Sequence, residues 1–325
     1  MINYMELKKK SHYFEIYISK VLKQISEYSA ITLNAKQQLN SFLLIILKCI
    51  CTYIFNLISV TKKKTINIKE VENSLKLILS GELLSNSIKE GNKSCQTFSQ
   101  NNVKGNRQHK AKIIFPVSVI ENFLRNTNSN IMISTLVPVY IASVLEYLTF
   151  EILDMSVILT NEYKHNRITV RDLELSVRND IEFDLLFKKH NISFLGGGVV
   201  PYIHESLVKK KSTLAIQNII KQQNKTSLIF SKLPFKKLVR HIFKSKLNYS
   251  IKICKNVFTV LQCFIEQYII KLLYESNFLS IHAGRVKMIP IDIDLYESLC
   301  NNKVNPYTNS KNVELLILNS DENLI

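Results

Sequence analysis

The sequence predicts an all-α chain of three consecutive helix–strap–helix units with extra helices. Three observations lead there. Only 7 Gly and 6 Pro occur in 325 residues, poor material for many tight turns. A short amphipathic run, a long apolar-rich run and a second short run recur three times in the same order. Each long run spans roughly 28 residues, about 42 Å as a helix. Flanked by short helices, it needs a second long helix crossing it.

In the first unit, "YFEIYISKVLKQI" (Tyr13 to Ile25) carries apolar residues at helical spacing. The long run from about Thr32 to Thr61 follows, then "KKKTINIKEVENSLKLIL". Inside the long run, "FLLIILKCICTYIFNLISV" (Phe42 to Val60) holds a single charge, Lys48, and raises the possibility of a membrane span. A central Lys costs about 2.5–3.5 kcal/mol on insertion, and Asn56 adds to that. The other two long runs carry Glu146, Glu151 and Asp154, or Glu266, Lys271 and Glu275, and so are amphipathic. The first is read as the most apolar member of a set of core helices, with no membrane partner.

The second unit reads "PVSVIENFLRN", "PVYIASVLEYLTFEILDMSVILTNEY" and "HNRITVRDLELSV". The third reads "KLPFKKLVRHIFK", "CKNVFTVLQCFIEQYIIKLLYESNFLSIH" and "AGRVKMIPIDIDLYESL". Thr65-Ile66, Arg167-Ile168 and Arg285-Val286 each open the segment after a long helix, with Glu70, Asp172 or Asp292 a few positions on. The expected domains are 1–100, a polar linker at 101–112, 113–211, 212–300 and an Asn-rich tail at 301–325. Only "VELLIL" in that tail could hold structure. Almost no linker precedes the third unit: "LGGGVVPYIHESLVKKK" runs directly into "STLAIQNIIKQQNKTSLIF", a helix with Ser212 or Thr213 near its cap.

Hydrophobic residues make up 46% and charged residues 21%, which allows a sizeable core. The net charge of +17 is almost all lysine and points to nucleic acid, an anionic membrane or an acidic partner without choosing among them. The six cysteines lack C-x-x-C spacing, so no metal site and no cofactor is expected. No apolar leader segment is visible, and a reducing compartment is the simplest home. "LGGGVVP" lacks the Gly-Lys-Ser/Thr of a phosphate loop. No catalytic set stands out, and the chain is read as a non-enzyme.

"FPVSVIENFLRN", "PVYIASVLEYLTFEILDMS", "NRITVRDLELSVRNDIEFDLL" and "GGVVPYIH", from Phe115 to His204, resemble histone 2A in order and spacing. "YISKVLKQI", "NSF" and "TINIKEVENSLKLILSGELLSNSIKEGNK" resemble histone 2B. "TLAIQNIIKQQNKTSLIF", "KLPFKKLVR", "LQCFIEQY" and "FLSIHAGRVKMIPIDIDL" resemble histone 3. The chain is similar to the fused histones of certain large DNA viruses, as a 2B–2A–3 triplet without a histone 4 segment. The resemblance implies three consecutive histone folds, clasping in pairs with crossed long helices, and contact with double-stranded DNA irrespective of sequence.

Carried over by position, the DNA-contact candidates are Lys62, Lys63, Lys64, Arg107, Lys110, Arg125, Lys164, Arg167, Lys221, Lys237, Lys252, Arg285 and Lys287. Cations in loops and free N–H groups at helix starts suit phosphate. Val119, Asn122, Met132 and Ser231 stand where the family has arginine. Glu82, Glu90, Glu146, Glu151, Asp154, Asp180 and Glu182 match the family's acidic patch, a dock for arginine-anchored proteins, with Ile181 replacing one acid. The alternative for these acids is an ordinary solvated helix face. His282, Arg285, Asp292 and Leu295 match the bundle through which histone 3 self-associates. An Asp–His or Asp–Arg pair across a two-fold axis would make that contact isologous; a pair within one chain is the alternative. Leu279 takes the place of the family's cysteine, so no copper chemistry is carried over.

The third unit lacks a partner on this chain. The resemblance therefore implies a histone 4 on another chain and a second copy of this one, wrapping DNA in the host nucleus or viral factory and in the virion. Two copies supply twice +17 against roughly 290 phosphates on a wrap of about 146–147 bp, and a looser particle is expected. The rival reading is a histone-fold subunit of a transcription or chaperone complex that does not wrap DNA.

Overall fold

The computed structural model describes residues 12–101, 105–127, 131–190, 192–201, 213–246, 253–285 and 287–300. Two compact units divide the chain, Met1–Ser227 and Leu228–Ile325.

The first compact unit holds two short–long–short helical sets. The first set is α1 (Glu15–Ile25), α2 (Leu33–Thr61) and α3 (Ile68–Ile78), followed by α4 (Gly81–Gln100). After the short α5 (Arg107–Ala111), the second set is α6 (Val117–Thr127), α7 (Leu136–Glu162) and α8 (Val170–Asn179), followed by α9 (Ile181–Lys189). Pro138 is tolerated because it lies in the first turn of α7, where the N–H has no helical partner. Both α3 and α8 begin with a capping box, Asn67 with Glu70 and Thr169 with Asp172. These are two of the acids expected after the long helices.

Four two-residue strands clasp the sets. β1 (Ala30–Ile31) runs parallel to β4 (Arg167–Ile168), and β2 (Thr65–Ile66) runs parallel to β3 (Met132–Ile133). Each strap joins the loop before one long helix to the loop after the other. One hydrophobic core then runs through both sets. From α2 it takes Leu39, Leu43, Leu47, Ile50 and Ile54; from α7, Tyr140, Ile141, Leu145, Leu148 and Ile152. Phe14 stacks on Phe115 with ring centroids 5.3 Å apart, and Phe42 stacks on Phe187 at 4.9 Å. By length and composition α2, α7 and a third helix in the second compact unit, Asn256–His282, could each cross a membrane. Of these, α2 and α7 contribute their apolar faces to this common interior. Gly91 lets α4 approach α7, since a Cβ there would sit 2.5 Å from the Tyr140 ring.

Part of the segment 101–112, read from sequence as a linker, is ordered locally. α5 forms a full turn inside it. Asn101 Nδ2 donates to Lys110 O at 2.8 Å, and Gln108 Nε2 donates to the carbonyls of Ile114 and Phe115. Five residues are too few for helical periodicity to show against a polar background. α10 (Thr213–Gln223) also belongs to the first compact unit. Arg171 of α8 holds its C-terminal end through Gln223 O at 3.3 Å, and donates to Gly197 O and Val199 O as well.

The second compact unit has α11 (Lys232–Lys246), α12 (Lys255–His282) and α13 (Pro290–Cys300), again short–long–short. Its buried apolar cluster is small: Phe235, Val239 and Phe258.

One device is common to all three sets. The backbone N–H of a phenylalanine ahead of the first short helix is tied to a side chain on the long helix. Phe14 N donates to Asn40 Oδ1 at 3.0 Å. Ile114 N and Phe115 N donate to Glu146 Oε2 at 2.7 and 2.9 Å. Ile229 N and Phe230 N donate to Glu266 at 3.0 and 2.8 Å. The "VELLIL" segment lies outside the described residues.

Candidate nucleic-acid interface

The straps bring the predicted loop cations together with the loops that precede the opposite long helices. Lys62, Lys63 and Lys64 are exposed at the β2·β3 strap, and Lys164 and Arg167 at the β1·β4 strap. Lys62 closes α2 with φ 54°, and Lys164 follows α7 with φ 57°, the left-handed conformation in which helices commonly end on glycine.

The predicted cations are not equally free. Lys63 Nζ lies 2.5 Å from Glu70 Oε1, the same carboxylate that caps α3. Burial pushes the Glu70 carboxyl up, but the Lys63 ammonium and the Asn67 N–H outweigh it and hold the group below its ordinary range. Arg285 makes the corresponding contact in the second compact unit, a two-pronged pair with Asp292 at 2.5 and 3.0 Å. Asp292 also accepts from Ile289 N and is held low, chiefly by Arg285. In both places the cation sits seven residues before the capping acid. In the single chain, Arg285 and Asp292 are thus paired with each other. His282 and Leu295 are exposed nearby along α12 and α13.

Arg107 and Arg125 both pair with Glu121 of α6, a residue that sequence reasoning passed over. The two guanidiniums lower the Glu121 carboxyl, Arg107 most. Lys110 is half-buried on α5, and Lys221, Lys237 and Lys287 are exposed. Lys252 lies outside the described residues.

The acidic residues also divide. Glu182 accepts from Glu82 N and Leu83 N at 2.7 and 2.6 Å and so caps α4, where Gly81 has φ +63°. Asp180 caps α9 through Phe183 N at 2.8 Å. Glu90 pairs with Lys93 at 3.0 Å. Glu146 serves the backbone at 114–115 and is raised, burial outweighing its two N–H donors. Burial also raises Glu151, with Asp154 and Asp180 adding to it. Glu90, Glu146 and Glu151 line a groove of about 490 Å³ whose walls include Lys89, Lys93 and Lys112. The face is of mixed charge rather than purely acidic. Among the described residues, no group of three or more His, Cys, Asp or Glu could hold a metal ion.

Two short–long–short sets clasped through parallel straps, with cations at both, define a histone-fold protein. A model of the core histone domain, the one shared by histones 2A, 2B, 3 and 4, matches residues 211–299. A histone 2A of Lodderomyces elongisporus is 45% identical over 106 residues, 33% of this chain and 81% of that histone. A histone 2A of Saccharomyces cerevisiae is 40% identical over 109 residues, 34% of this chain and 81% of its own length. Among solved structures, the histone from Methanopyrus kandleri covers 51% of this chain and 93% of itself, at 12% identity and a TM-score of 0.34. The chain belongs to the core histone family.

Proposed function

We propose that the chain is a fused histone triplet, 2B-like, 2A-like and 3-like in order, similar to the histone fusions of large DNA viruses. Two copies combine with two molecules of a separate histone 4 to wrap DNA in a nucleosome-like particle, within the host nucleus or viral factory and in the virion. One observation carries the reading. The two sets of the first compact unit complete each other through both straps, whereas the third set has apolar residues of its long helix uncovered. Val257, Val260, Phe264, Tyr268, Phe278 and Ile281 of α12 are each about half exposed or more. A face of that kind marks an interaction surface, and a missing histone fold is the partner of matching shape. Arg285 and Asp292, being paired to each other, shape the loop there, and His282 with Leu295 remain for contact with a second copy. On the first compact unit, Glu151 and Asp154 are the acids best placed to meet arginine-anchored proteins.

The second reading is a histone-fold subunit that does not wrap DNA. It is favoured by the internal pairing of Lys63, Arg107, Arg125 and Arg285 and by the absent arginines at Val119, Asn122, Met132 and Ser231. Nuclease digestion separates the two. The chain, mixed with a histone 4 and assembled on long DNA, is expected to protect a discrete length at or below that of one nucleosome. A smear, with histone 4 bound but DNA unprotected, would move the assignment to the second reading.

A further inference from the structure

The straps present more than cations. Tyr28, two residues before β1, is 92% exposed, and Met132, the first residue of β3, is 73% exposed. Single exposed apolar side chains are ordinary on a protein surface, but these two are set apart by lying at the straps, Met132 within β3 and Tyr28 just before β1. Met132 is aligned with Thr65 of β2, and its N–H donates to Lys64 O at 3.0 Å. Ala30 of β1 is aligned with Arg167 of β4, and its N–H donates to Asn166 O at 3.1 Å. Met132 thus lies on the strand paired with the one that Lys62, Lys63 and Lys64 precede, and Tyr28 lies in the bend just before β1, whose partner β4 carries Arg167.

We propose that Tyr28 and Met132 are minor-groove wedges, entering the DNA beside the strap cations and partly unstacking a base step. The proposal rests on the DNA-binding reading above and names how the straps engage the duplex. Proteins that bend DNA from the minor groove insert apolar side chains between base steps in this way. Methionine suits the task because it is unbranched and adapts to irregular gaps; tyrosine offers a rigid ring with a polar end that can stay wet. An arginine at the same place would be drawn by the negative potential of a narrow groove and displaced by salt. A wedge draws on apolar burial and base unstacking instead. It therefore favours pyrimidine–purine steps, which kink most easily, and gives the complex a positional preference that cation contacts alone do not confer.

The test uses the full chain and short duplexes carrying one 2-aminopurine, whose fluorescence rises when the base unstacks. The reporter is moved step by step along the duplex. At saturating protein, a several-fold rise is expected at flexible steps, and the double variant Tyr28→Ala with Met132→Ala should leave the reporter at the level of free duplex. A second variant, Met132→Arg, should lose the signal of its own strap while the salt dependence of binding steepens by about one counterion. Complexes that form with every reporter position still stacked would overturn the wedges and leave the DNA reading intact. So would a double variant that keeps the signal. Absence of any complex, with histone 4 added as well, would overturn the DNA reading itself.

Discussion

Lys62, Lys112 and Lys164 each close a helix in the left-handed conformation, at φ 54°, 53° and 57°. A β-carbon there costs roughly 1 kcal/mol that glycine avoids. Lys62→Gly and Lys164→Gly should therefore stabilise the fold by about 0.5–1 kcal/mol in urea unfolding, while each weakens DNA binding. Stability and binding moving in the same direction would contradict the cost assigned to these cations. Glu151 provides a second prediction at this scale. Burial, then the neighbouring Asp154 and Asp180, hold its folded value above the ordinary one. Its contribution is thus fully present below the unfolded value and is lost as pH rises through the folded one. Glu151→Gln should raise the melting temperature at neutral pH and leave it unchanged at acidic pH. Because the group is partly exposed, the gain should stay below about 1 kcal/mol.

At the scale of elements, the tie between each long helix and the segment ahead of its first short helix can be tested directly. Glu146→Ala removes the acceptor of two N–H groups, and Glu266→Ala does the same in the second compact unit. Leaving such groups unsatisfied costs about 1–3 kcal/mol, so each variant should lose that much in denaturant titration. A loss no larger than that of an exposed Glu→Ala control would mean that water replaces the tie. The helices themselves were legible. Thr32 to Thr61 and Cys254 to His282, read from apolar spacing, match α2 and α12 to within one residue. The ties were not legible, because Glu146 and its donors lie 32 and 31 residues apart. In sequence, a carboxylate that caps backbone looks like one that faces water. The same blindness hid the capping roles of Glu182 and Asp180 and left Glu121 unnoticed between its two arginines. Arg171 was missed because its partners are carbonyls, which every residue has.

For the whole molecule, the two compact units differ in what they bury. The first shares a continuous core from α1 to α9, while the second relies on Phe235, Val239 and Phe258. Calorimetry of the chain alone should show two transitions, with the second compact unit melting first. Adding histone 4 should raise only that lower transition, by mass action on the folded state; an upward shift of both would argue against a partner seated on α12. The assembled particle should also release DNA at lower salt than a standard nucleosome, given its modest net charge.

The straps have a last consequence, for supply rather than shape. Ala30 finds Arg167, and Thr65 finds Met132, on the same polypeptide. The two halves of that clasp are made in equal number however strongly the gene is expressed. Dilution cannot part them, since each meets the other at the concentration set by the intervening chain. One half also cannot be swapped for a variant while the other stays on the DNA. Whatever renews this protein must replace the clasped pair as a single piece.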